Sequence, residues 1–109
     1  VGTTIAFDEF KKVELRVGEI LEVNPHPNAD KLYVLYVDFG GEKRQLVAGL
    51  RGYYEPGEMV GKKTVVVTNL QPASLRGVES QGMLLAAQSG RVVSLLTVDK
   101  DVPAGSKIL

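Results

Sequence analysis

No cysteine and no tryptophan occur among the 109 residues, histidine occurs once, and basic and acidic side chains balance to a net charge of zero. Without cysteine there is no disulfide framework and no thiolate metal site, which fits a reducing compartment and an expected cytoplasmic location. The single histidine, His26, has no carboxylate cluster at ligand spacing around it. No metal or other cofactor is therefore expected, and His26 reads as an exposed loop residue. No apolar run approaches the roughly 18 residues of a membrane span, and no signal peptide opens the chain, so no membrane partner is expected. The neutral total excludes a simple polycation. Catalytic patterns are missing too: there is no Gly-x-Ser-x-Gly, no Walker lysine loop and no dinucleotide glycine pattern after a strand. Gly40-Gly41 reads as a hairpin tip because no helix follows it, and Asp99 and Asp101 read as turn residues. A non-catalytic role is expected.

What is present describes one modest domain, with 44% hydrophobic and 24% charged residues, typical of a globular chain. It begins at Val1, not Met, and reads as a piece of a larger protein. Residues 5–12 form an apolar lead-in with one helical turn, Asp8 as candidate N-cap and Phe7 and Phe10 facing inward. Val13, Leu15 and Val17 alternate with Glu14 and Arg16 as a strand, and the phase break at Gly18-Glu19 predicts a bulge or bend before Ile20, Leu21 and Val23. Residues 24–30 carry two prolines and are a loop. Residues 32–37 are apolar on both faces, so something must cover their outer side, such as a helix, an extension or a second subunit. After the Gly-Gly hairpin come a strand at 45–48 and a short helix around Glu58 and Met59. Strands at 64–67, 83–87 and 92–98 and a turn at 102–105 complete the chain. The pattern predicts an all-β fold, an OB-type five-stranded barrel with a short helix and a C-terminal β extension. An SH3-like barrel or open sandwich ranks second. The expected division is a lead-in at 1–12, the barrel at 13–88 and an extension at 89–109.

Between two strong strand patterns lies residues 69–83, N-L-Q-P-A-S-L-R-G-V-E-S-Q-G-M, where polar side chains gather around a proline and two glycines. Loops held by rigid strands carry binding surfaces, although an ordinary exposed hairpin connection would also be hydrophilic. Charge is uneven. From Lys31 to Arg76 there are seven basic residues against four acidic ones, a local basic face on a neutral molecule. OB barrels bind oligonucleotides across the middle strands and adjoining loops. Lys31 and Tyr33 would share one strand face, Lys43 and Arg44 begin the next strand, and Arg76 lies at the rim. With few aromatics, phosphate, sugar and shape contacts are expected to outweigh base stacking.

Seven segments in one order carry a resemblance: L-R-V-G-E-I from Leu15, H-P-N-A-D-K-L-Y from His26, V-D-F-G-G-E from Val37, V-A-G-L from Val47, N-L-Q-P from Asn69, R-G-V-E-S-Q-G-M from Arg76 and V-P-A-G-S-K-I from Val102. The chain resembles the tRNA-binding domain family, free-standing or appended to aminoacyl-tRNA synthetases, over nearly its full length. The resemblance implies an OB barrel with a C-terminal extension, a tRNA partner recognised by its L-shape with little sequence preference, and a homodimer formed through the terminal extensions. It also implies association with the catalytic body of a methionyl-tRNA synthetase. Carried over by motif, the RNA contacts are Lys31, Arg44, Asn69, Arg76, Ser80 and Met83, with Gln71 among them. In two places the chain departs from the family: Ala48 stands where Ser is usual, and Gln71 replaces a frequent cation, removing one phosphate contact. A bacterial peptide-binding export chaperone of the same superfamily shares the V-P-x-G-x-K-I tail but lacks the A-D-K-L-Y and S-x-G-M segments. A purely dimerising appendix is the third reading.

Overall fold

The computed structural model describes residues 2–109. Its elements are α1 (Phe7–Phe10), β1 (Leu15–Pro25), β2 (Tyr33–Asp38), β3 (Lys43–Ala48), α2 (Pro56–Met59), β4 (Lys63–Val67), β5 (Ala73–Leu75), β6 (Val78–Ser80), β7 (Met83–Leu84), β8 (Ala86–Ser89) and β9 (Val92–Leu95). Five of them form one antiparallel sheet in the order β3-β2-β1-β4-β7. The sheet curls because β1 is long enough to serve two partners. Residues Leu15 to Glu19 pair with β4, and Glu19 to Pro25 pair with β2. This is the expected OB-type architecture.

The break in alternation has two separate causes. The register shift lies between Ile20 and Glu22, not at Gly18. Gly18 is there for space: a Cβ would stand 2.5 Å from Val37 Cγ1 and 2.8 Å from the Phe39 ring. Phe39 can therefore lie flat over β1, almost wholly buried. Ile20, Leu35, Val37, Leu46, Met59 and Val66 fill the interior around it, with α2 supplying the Met59 plug.

The barrel closes through the segment that joins β6 to β7. Gln81 N–H donates to the Gln45 carbonyl at 2.8 Å. Gln45 N–H is accepted by the Gln81 side-chain Oε1 (3.1 Å) and Val47 N–H by Ser80 Oγ (3.0 Å). Side-chain oxygens thus take the place of ladder carbonyls along the otherwise free edge of β3 and pair the Gln45 and Val47 donors. The next residue, Gly82, passes so close to the sheet that a Cβ would meet Leu46 Cδ2 and the Val67 carbonyl at 3.0 Å.

Three expectations are corrected, and a fourth is narrowed. Phe7 and Phe10 face outward, at 71% and 48% exposure, because a single helical turn is too short to wrap onto the barrel. Ala6, not Asp8, is the N-cap of that turn, with Glu9 accepting from its N–H. Tyr33 is buried and its hydroxyl donates to the Tyr54 carbonyl at 2.8 Å, so it shares no surface with Lys31. The outer-face residues Val34 and Val47 are buried within the single chain, where β6 runs beside β3, so their burial requires no second subunit.

The C-terminal region is woven into the barrel. Val65 N–H donates to the Leu96 carbonyl and Leu96 N–H to that of Leu85, while Val17 and Gly105–Ser106 exchange two bonds of 2.7 and 2.8 Å. Leu95 belongs to the main core at 8% exposure. Truncating Leu95 to Ala is expected to cost about 2–5 kcal/mol of stability by cavity formation. Urea unfolding measures this, and a loss below about 1 kcal/mol would show that the extension is peripheral to the core.

Candidate nucleic-acid interface

The stretch expected to be a loop, residues 69–83, contains a short hairpin, β5–β6, whose two-residue turn is Arg76-Gly77. Both turn residues have positive φ, 55° for Arg76 and 90° for Gly77, which matches the twist of antiparallel strands. Arg76 is the one non-glycine residue with positive φ among the described residues, where Cβ crowding costs about 1–2 kcal/mol. Such strain persists only where surrounding structure holds it. Here the 26–30 loop does so. Asn28 Nδ2 donates to the Arg76 carbonyl and Arg76 Nη2 donates back to the Asn28 carbonyl, both at 3.3 Å.

His26 is the peg of that arrangement and is only 4% exposed, contrary to the expected surface position. Its Nδ1 accepts from Asn28 N–H and its Nε2–H donates to the Leu75 carbonyl, each at 2.9 Å. Both ring nitrogens are used on protein partners, so the side chain fastens loop to hairpin. Flanking prolines made the segment read as exposed; the two backbone partners that bury it lie in different parts of the chain.

The other nominated residues divide into two groups. Lys31, Gln71, Arg76 and Met83 are exposed, and Met83 stands 48% open on β7, so it does not fill the barrel end. Arg44, Asn69 and Ser80 are engaged within the protein. Arg44 donates from Nη1 to the Thr68 and Gln81 carbonyls and from Nε to Glu42, with its guanidinium 5.6 Å from the Phe39 ring centre. Asn69 accepts from Glu14 N–H at 2.8 Å and donates to the Lys12 carbonyl, tying the lead-in to the loop. Ser80 accepts from Val47 and donates to the Gly82 carbonyl at 2.9 Å. Arg76 is bonded to Asn28, which lies in the same loop three residues before Lys31. Arg44 lies on another part of the surface, lining a shallow cleft with Lys43, Thr68, Leu70 and Pro72. The residues missed by sequence reasoning are His26 and Asn28, and a short loop facing an Arg-Gly hairpin turn was the available signal.

A small antiparallel barrel of this topology, carrying cationic loop and hairpin tips at its rim, defines an oligonucleotide-binding class of module. A family model described as a putative tRNA binding domain matches residues 15–107, and the chain belongs to that family. The methionine–tRNA ligase of Thermococcus kodakarensis is 61% identical over 104 residues, covering 95% of this chain and 14% of that protein. This chain therefore spans about one seventh of the curated relatives it matches. A solved structure of a MetRS-related protein from Pyrococcus horikoshii superposes with TM-score 0.91 at 38% identity, covering 99% of this chain and all of that one. The CsaA chaperone protein of Picrophilus torridus superposes with TM-score 0.90 at 32% identity, covering 97% of this chain and all of that one.

Glu42 is the local electrostatic hub, contacting Arg44 Nε at 2.8 Å and Arg16 Nη1 at 3.6 Å. The hydrogen bond and charge of Arg44, with a smaller contribution from Arg16, hold its carboxyl below the ordinary glutamate value. A carboxylate with a lowered folded value stabilises the fold above its unfolded value and loses that contribution as pH falls through the folded one. Stability is expected to decline on the acid side of the ordinary glutamate range, and Glu42→Gln to flatten that limb. Because the pair is exposed, 1 M salt should shrink the difference. Superimposable acid limbs for the two proteins would remove Glu42 as a contributor.

Proposed function

We propose that this chain is a non-catalytic tRNA-binding module that recognises the folded shape of tRNA through its phosphate backbone, with little sequence preference. We further propose that it serves as the C-terminal tRNA-binding and dimerisation domain of a cytoplasmic methionyl-tRNA synthetase. The observation that carries the binding reading is the Arg76 turn. A cation is held at the outermost point of a hairpin, in a backbone conformation that asparagine or glycine would adopt more easily. Arg76 and Lys31 supply phosphate contacts, Gln71 a polar contact, and Met83 a polarizable surface for a sugar or base. Arg44, Asn69 and Ser80 hold the elements that present them. The family match and the ligase relatives support the partner. The likeness to CsaA keeps a chaperone role as the alternative.

The two purposes of Arg76 separate in one variant. Arg76→Asn suits the left-handed turn, so stability should rise by about 1 kcal/mol while tRNA binding weakens several-fold. Each phosphate that is no longer neutralised should also lower the log–log salt slope by about 0.7–0.9. Met83→Ala should leave stability within about 0.5 kcal/mol and weaken tRNA binding. Filter binding with intact tRNA, an unstructured RNA of equal length and an unfolded peptide provides the readout. Wild-type tRNA affinity in the Arg76 variant, or preference for the peptide, would sink the reading.

Dimerisation through the terminal regions is supported by apolar side chains that the single chain leaves uncovered. Phe7, Phe10, Val13, Leu15, Ile108 and Leu109 line one groove where the two ends of the chain meet. Contiguous apolar surface of this kind marks protein contact sites. Replacing Phe7 and Phe10 together by Glu should convert a dimer to a folded monomer in sedimentation. An unchanged dimer would place the interface elsewhere.

A further inference from the structure

A second feature is built mostly from residues outside the motifs of the resemblance, with Lys31 and Gly49 the two that belong to them. An open cleft of about 650 Å³ is lined by Lys31, Arg51, Tyr53 and Arg91 around Gly49, Gly52 and Gly90. It is bounded by the loop after β3 and by the β8–β9 turn. No carboxylate lines it. Among the described residues, Arg16, Arg44 and Arg76 each donate hydrogen bonds to protein carbonyls or carboxylates. Among the described residues, Lys31, Arg51 and Arg91 make no side-chain hydrogen bond or ion pair. Three cations thus face one concavity with no counter-charge, an arrangement relieved by a polyanion.

The cleft also has what a row of solvated lysines lacks, an aromatic face and room at the backbone. Tyr53 is 46% exposed, and positions Gly52 and Gly90 have nothing within 4 Å of where a Cβ would stand. Base–aromatic stacking tolerates any sequence because every base has a π-face. The volume lies within the range of about 300–1,000 Å³ usual for small-ligand sites. Lys31 connects the cleft to the Arg76 hairpin through the loop that contains Asn28.

We propose that this cleft seats an unstacked nucleotide from a single-stranded part of the bound RNA. The base lies on Tyr53, and Arg51, Arg91 and Lys31 neutralise the flanking phosphates. The proposal rests on the RNA-binding reading and deepens it, since phosphate contacts at Arg76 alone would need no aromatic platform.

The test uses the whole 109-residue chain, isotopically labelled, titrated with a single-stranded RNA tetranucleotide and in parallel with an acidic peptide of equal charge. Expected are amide shifts at Gly49, Gly52, Tyr53 and Gly90 with the tetranucleotide, absent in Tyr53→Leu, and no movement at Gly77. Tyr53→Leu, and separately Arg51→Gln with Arg91→Gln, should lower affinity for intact tRNA about ten-fold with unchanged circular dichroism. The double arginine variant should also reduce the salt slope by about 1.5. Arg76→Ala should weaken tRNA binding yet leave the tetranucleotide shifts intact. Unmoved glycine amides together with wild-type tRNA affinity in the Tyr53 and arginine variants would overturn the cleft proposal while leaving the Arg76 site standing. Stronger shifts with the peptide would overturn the RNA assignment of the cleft. Cleft shifts with the tetranucleotide in a chain that fails to bind tRNA would support the seat and remove the tRNA reading.

Discussion

Everything in this barrel depends on satisfying the outer edge of β3. A curled five-stranded sheet has two edges, here β3 and the two-residue β7, and the outer row of backbone donors and acceptors on β3 must find partners or face water. The chain meets that need with residues 80 and 81, whose side-chain oxygens accept from Val47 and Gln45. Ser80 is almost fully buried in doing so. Because these two residues are fixed to β3, the strand before them is fixed as well, and the hairpin turn at Arg76-Gly77 projects from an anchored base. The segment after them is equally constrained. Gly82 allows the chain to pass close over Leu46 and Val67, and Met83 emerges on the far side with an exposed side chain.

The S-x-G-M segment therefore does mechanical and chemical work at adjacent positions. Serine seals an edge, glycine permits close approach, and methionine is presented to solvent. A motif that reads as a string of contact residues is in physical terms mostly a closure device with one exposed side chain at its end. The same division holds for N-L-Q-P, in which Asn69 bonds the lead-in at Glu14 and Lys12 while Gln71 remains exposed. Anchored and exposed residues alternate because a surface loop without internal anchors could not hold a cation in a strained turn.

Hydrophobic alternation made most of the sheet legible. The long first strand, the β-branched run at 64–67, the Gly-Gly hairpin and the short helix at Met59 all lie where their residue patterns place them. The β5–β6 hairpin was not legible, since three-residue strands carry too little periodicity and its turn is Arg-Gly where Asn-Gly is the strong signal. The direction of Phe7 and Phe10 was misread for a related reason: large apolar residues predict burial only where an element is long enough to bring them to a core. His26 was misread because its neighbours are loop formers, whereas its burial depends on Leu75, 49 positions away. Long-range hydrogen bonds between irregular segments leave no local pattern. The candidate site was thus legible as a list of residues and illegible as an arrangement.

A neutral chain can still present a cationic face if its carboxylates are spent where the cations are structural. Glu42 pairs with Arg16 and Arg44, both of which also contact Phe39. Asp101 accepts from Lys63 at 2.7 Å, and that lysine also bonds the Val102 carbonyl. In each case the acid neutralises a cation that holds strands or the C-terminal segment together. Lys31, Arg51, Arg76 and Arg91 enter no ion pair among the described residues, and all four are exposed. With a Debye length of about 8 Å at physiological ionic strength, an incoming phosphate responds mainly to the charges nearest to it and not to the zero total. Zero net charge then limits long-range attraction to polyanions in general, while affinity survives where the cations have geometry.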